Sequence, residues 1–354
     1  ARKSEGIPKP VQPQTKIKVV WYALLSALGL FHAEVLSWSA PDVLYNPLTF
    51  ALVAPVYVVH YVLFGDLMGR RQGDLKVLYL FGCLTGMYEF VITKVFWSPP
   101  WNPGAVGPLG VAWVETLWIG FTWHAFMTFL IPFFLMQALF TPGGRNKRSR
   151  GLVAIMVAAP VMSAVFGLGF GQSLSAMLVP LVLSFLVIVA LAVLWLRWAP
   201  RWGFQGIDQL RFGRAGRRAA LGAFIAVYVG YGIILRPEFF PLDLALVPFA
   251  LLYAALLPLT AYYLRRASPS PRSAERTLPA RPALQFLLLY LLAFLAVFLG
   301  LGALHALLPG VLPVVAVGIV VGSVAVPVII LGGLAFRALR DRRTRTPGLP
   351  GPIE

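Results

Sequence analysis

The chain has little with which to face water. Charged residues are 12% of its 354 positions, hydrophobic residues are 59%, and the mean hydropathy is +0.79. A soluble domain cannot cover itself from so small a polar stock. Cysteine is almost missing: Cys83 stands alone, so no intrachain bridge can form and a disulfide-stapled scaffold is excluded. Glycine and proline show no period, which excludes a collagenous chain. There is no Walker A loop, HExxH, GxSxG, CxxC or Rossmann fingerprint, and therefore no motif for an active site in the cytosol.

What is abundant is uninterrupted apolar sequence. A helix crossing the roughly 30 Å hydrocarbon core needs about 20 mostly apolar residues. Ten stretches qualify, near residues 19–40, 47–68, 75–97, 111–140, 152–170, 174–198, 219–235, 244–264, 284–308 and 312–336. The expected fold is an all-α, polytopic integral membrane bundle of about ten transmembrane helices. The first 18 residues are polar and basic and lead into the first stretch without a small-residue cleavage pattern, so they read as a tail ahead of an uncleaved span.

Charge orients the bundle. With both termini cytoplasmic, 28 of the 30 Lys and Arg residues fall on the inner side, leaving Lys94 and Arg236 outside, as the positive-inside rule requires. The net charge of +17 then follows from inner loops facing anionic lipid headgroups, and it calls for no nucleic acid. The expected surroundings are the lipid bilayer of the cell membrane and other membrane subunits. Tryptophans near the expected span ends, including Trp21, Trp38, Trp195, Trp198 and Trp202, read as interfacial anchors. Small residues at four-residue spacing, Gly222 to Gly230 and Gly318 to Gly322, read as helix-packing faces.

Ionisable residues divide the chain: a tail at 1–18, a four-span bundle at 19–140, a six-span apolar bundle at 151–336 and a tail at 337–354. His32, Glu34, His60, Glu89, Lys94, Glu115 and His124 all lie in the first four spans, whereas the last six hold only His305 away from their ends. Such side chains are costly in lipid and mark functional sites by default. Glu34 and Glu89 both come out roughly 9–12 Å below the outer face from the rise of 1.5 Å per residue. Gly82, Gly86, Glu89 and Thr93 share one helix stripe, a small-residue face carrying a carboxylate inward. In a regular helix Glu115 and His124 point to opposite sides, so one of them faces a given site.

The candidate substrate- or ion-binding residues are therefore Glu34, Glu89, Thr93, Lys94, Glu115 and His124. Carboxylates in a low-dielectric site can exchange a proton or cation for cargo, so a transporter or ion-handling protein comes first. A scaffold or anchor subunit of a larger membrane complex is the next reading. His60 and His124 at one depth, with Gly120 one turn from His124, offer axial ligands to a haem in an electron-transfer subunit.

The stretches YEFVITK around Glu89 and FTWHAF around His124 resemble the glutamate and histidine motifs of the CAAX protease and bacteriocin-processing family. That resemblance implies an intramembrane hydrolase with Glu89 as the water-activating base and His124 as a polar partner or metal ligand. Tyr88-Glu89 stands where the family doubles its glutamate, and no later span offers the second histidine motif.

Overall fold

The structure is a computed structural model, and it describes residues 13–70, 74–92, 104, 106–142, 149–235, 244, 246–267, 278 and 280–343. Among them no strand occurs. Helices stand at all ten expected positions: α1 (Pro13–Leu30), α2 (Pro47–Arg70), α3 (Leu75–Ile92), α4 (Trp113–Leu139), α5 (Ser149–Gly169), α6 (Leu174–Trp198), α7 (Arg214–Val229), α8 (Leu246–Arg266), α9 (Ala280–Leu307) and α10 (Val311–Arg343). Eight of them are long and apolar enough to cross a membrane; the exceptions are α3, where a shorter apolar helix stands, and α7. The protein is a polytopic helical membrane protein.

Local sequence sets the helix ends. At α2, Pro47 occupies the first turn, where its missing N–H is no loss, and Asn46 accepts the Leu48 N–H at 3.0 Å. At α6, Ser173 accepts the Ala176 N–H at 3.2 Å. Gly171 follows α5 with φ of +89°, a left-handed conformation that only glycine adopts without strain.

The chain packs as two compact units. The first comprises residues 1–73, 131–227 and 268–316, and the second 74–130, 228–267 and 317–354. The four-span and six-span division describes where polar chemistry lies along the chain; each packing unit draws on both stretches.

In the first unit α1 packs on α2 and α6, and α9 on α5 and α6. Edge-to-face aromatic contacts tie the helices, Phe31 with Phe185 at 5.6 Å and Phe31 with Phe294 at 5.7 Å. Trp21 and Trp195 lie inside this unit instead of in an interfacial belt: both are fully buried with ring centroids 5.2 Å apart, and the Trp195 indole N–H donates to Phe140 O at 3.1 Å. Each span end offers two sides, and the side facing protein took these two rings.

In the second unit α3 packs along α4 and α8. Gly82 and Gly86 form the face expected of them: a Cβ would lie 2.6 Å from the Ala125 backbone at the first and 2.0 Å from Gly120 O at the second. The other small-residue stripes differ. A Cβ at Gly222, Gly230, Gly318 or Gly322 meets nothing within 4 Å among the described residues. Small residues let backbones approach, but they supply no partner themselves.

Candidate functional site

The helix begun by α1 does not end as a regular one. Its last turn, Phe31–Val35, widens to i→i+5 bonding, with the Leu36 N–H donating to Phe31 O at 3.0 Å. Such turns insert an extra residue and are frequent at functional sites. This one holds two buried ionisable side chains.

His32 points to α9. Its Nδ1 lies 2.7 Å from Leu28 O and its Nε2 2.9 Å from the Tyr290 hydroxyl. A carbonyl only accepts, so Nδ1 carries the hydrogen it donates to Leu28 O, and Nε2 shares a hydrogen bond with the Tyr290 hydroxyl, so both ring nitrogens are partnered. Glu34 points to α2 instead, where its Oε1 accepts from the Tyr57 hydroxyl, while its Oε2 accepts from Ser39. Tyr61, one turn beyond Tyr57, lies within electrostatic reach of the same carboxylate.

Three local features fix this arrangement. Gly29 lets the Tyr61 phenol cross the α1 backbone: a Cβ there would sit 1.7 Å from the phenol oxygen. Trp38 takes φ of 64°, a left-handed conformation costly for a bulky residue. It is held there by its indole N–H donating to Ser163 O at 3.1 Å, while Ser163 donates back to Leu36 O at 3.0 Å. The turn this creates brings Ser39 back over Glu34.

Glu34 is 4% exposed, and among the described residues no Lys, Arg or His nitrogen lies within ion-pair distance of it. Its two hydroxyl donors fill two of about four lone-pair positions on a carboxylate. The carboxylate thus keeps lone-pair positions that no described donor fills.

The other expected residues are placed as follows. Glu89 lies on α3 in the second unit, with its side chain outside the described residues, and Thr93 and Lys94 lie outside them altogether. Glu115 and His124 are both on α4, which is π-helical from Thr116 to Leu130. That corrects the expectation that they point to opposite sides. Bonding of the i→i+5 kind rotates the chain less per residue, so nine residues make about two turns and bring them toward one side. Glu115 is half-buried, and the buried His124 has its Nδ1 2.7 Å from the Thr128 hydroxyl.

His60, offered as a haem ligand together with His124, packs in the first unit. Its Nδ1 is 2.6 Å from Val56 O and its ring stands edge-on to Phe224 at 4.9 Å. No group of three or more His, Cys, Asp or Glu able to share a metal ion occurs among the described residues.

Tyr57, Tyr61 and Ser39 were not foreseen. Their signal was available: Tyr57 and Tyr61 at i, i+4 place two phenols on one face of an otherwise apolar span. Asp66 was missed as well. It is 1% exposed near the C-terminal end of α2, bonded to Arg70 Nε and Nη2 at 3.0 Å each, to the Phe212 N–H at 2.6 Å, and 3.6 Å from Arg217 Nε. Lys18 bonds Arg211 O beside it, and Arg211 Nε donates to Gly69 O at 2.7 Å. One carboxylate thereby ties α2 to the segment entering α7.

A protein of Archaeoglobus fulgidus described as uncharacterized is 34% identical to the chain over 125 residues, 35% of this chain; the match spans 40% of that protein's length. No solved structure matches the chain. A family model described as an uncharacterized membrane protein family matches residues 23–343, nearly the whole helical bundle, and the chain belongs to that family.

Proposed function

We propose that the protein is a transporter that handles a proton or small cation, with Glu34 as its exchangeable carboxylate. The observation that carries this reading is a membrane-buried carboxylate with two hydroxyl donors and, among the described residues, no fixed counter-charge. A bare carboxylate in so apolar a setting costs several kcal/mol. A proton or a cation from solution removes that cost and can be given up again. A carboxylate serving only to hold helices together would be expected to face a Lys or Arg, as Asp66 does.

The test uses the full chain in liposomes and follows an imposed pH gradient with an entrapped pH dye and an imposed Na⁺ gradient with a Na⁺ dye. The expected result is dissipation of one gradient by the wild type and none by Glu34→Gln, with the variant as heat-stable as the wild type. If the wild type leaves both gradients intact and infrared difference spectra on pH and Na⁺ jumps show no Glu34 carboxyl band, the carboxylate does not exchange. The scaffold reading then replaces this one.

A further inference from the structure

We propose that the groove between the start of α1 and the segment leaving α6 is a site for one anionic phospholipid. The groove has a volume of about 480 Å³ and lies wholly within the first unit. Lys16 and Arg201 supply two cations and Thr15 a hydroxyl, and among the described residues no carboxylate lines the groove. Its floor is apolar: Val19 is 62% exposed and Trp198 38% exposed, and the Trp198 and Trp202 rings lie 5.3 Å apart.

Each part of a phospholipid has a counterpart here. A phosphodiester suits a guanidinium and an ammonium together, since the guanidinium presents paired donors and the ammonium a mobile point charge. The upper acyl chain suits the exposed valine and indole faces, which continue along the exposed apolar side of α6, where Val193 is 44% exposed. Tryptophan at this level is a usual interfacial residue, and positive-inside topology places the groove in the leaflet where anionic lipid concentrates. Two cations without an acid favour a headgroup of net negative charge over a zwitterionic one.

A second basic pocket sharpens the point. It holds Lys76, Arg266, Arg337 and Arg340 but also Asp74 and Asp341, with Asp341 already taken by Arg266 and Tyr262. That pocket spends part of its charge on itself and has no comparable apolar floor. The lipid site is argued from the groove alone and stands or falls independently of Glu34.

The test strips the full-length protein of lipid in neutral detergent and titrates it with phosphatidylglycerol, phosphatidylcholine or inorganic phosphate, counting bound lipid by native mass spectrometry. Wild type should hold one phosphatidylglycerol in preference to phosphatidylcholine. Lys16→Gln with Arg201→Gln should weaken it about thirtyfold, the factor that two surface cations supply. Arg214→Gln with Arg218→Gln removes the same charge from exposed positions on α7 and should change it little, and Arg201→Lys should keep most of it. Equal losses in the two double variants would mean diffuse attraction and overturn the site. Inorganic phosphate competing at equal concentration would assign the cations to free phosphate and overturn it too.

Discussion

At the scale of single residues, the most informative contrast is between two buried carboxylates. Asp66 is surrounded by guanidinium groups and a backbone N–H; Glu34 is met by hydroxyls only. The first arrangement is a lock. Removing its carboxylate leaves the Phe212 N–H and two partly exposed guanidinium groups without their acceptor, so Asp66→Ala should cost about 1–3 kcal/mol, read as a fall in thermal midpoint in detergent. The second arrangement is softer. Tyr57→Phe should cost about 1.5–3 kcal/mol by withdrawing a donor from a charged acceptor. In a cycle with Glu34→Gln, the two changes should be non-additive by about 0.5–3 kcal/mol. Glu34 was legible in the sequence as an ionisable residue inside an apolar run. Its partners were not, because neither a phenol nor a serine hydroxyl in a span announces which way it points. Asp66 escaped notice because an acid near a span end reads as a solvated boundary; only its spacing of four from Arg70 hinted otherwise.

At the scale of elements, the positions of helices followed from composition, and the departures lie where backbone bonding changed. The stretch TLWIGFTWHAFMTFL contains neither proline nor glycine pairs, so nothing in it signals a change from i→i+4 to i→i+5 bonding. The change nonetheless alters which side chains share a face, as with Glu115 and His124. Thr122 illustrates the local accommodation: its hydroxyl lies 3.1 Å from both Leu117 O and Ser323 O, bonding back along its own helix and across to α10. Glycine spacing was a weaker guide than it looked, since the same kind of motif occurs on a tight face of α3 and on faces of α7 and α10 that no described residue meets. The substitutions that separate these cases are Gly86→Ala and Gly318→Ala. The first drives a methyl into the Gly120 backbone, which cannot yield as a side chain would, and should cost about 3 kcal/mol or more. The second should stay within about 0.5 kcal/mol. Thermal unfolding of both, side by side, checks the assignment.

At the scale of the whole molecule, composition decided the class of protein, while the grouping of helices was invisible to it and to the charge count. Neither packing unit is a continuous piece of chain. The first closes only when residues 268–316 join residues 1–73 and 131–227. No single cut in the chain yields either unit intact, so fragments split near residue 140 should fail to reproduce the wild-type unfolding transition when expressed separately, and co-expression should restore it. The same topology has a consequence for biosynthesis. His32 finds its hydroxyl partner, Tyr290, 258 residues later. At about 5–20 residues per second, a ribosome needs about 13–52 s to deliver it. During that interval the imidazole of a newly inserted helix must be sheltered by water, by the insertion machinery or by a temporary neighbour, which makes the early life of α1 the stage at which assembly is most easily diverted.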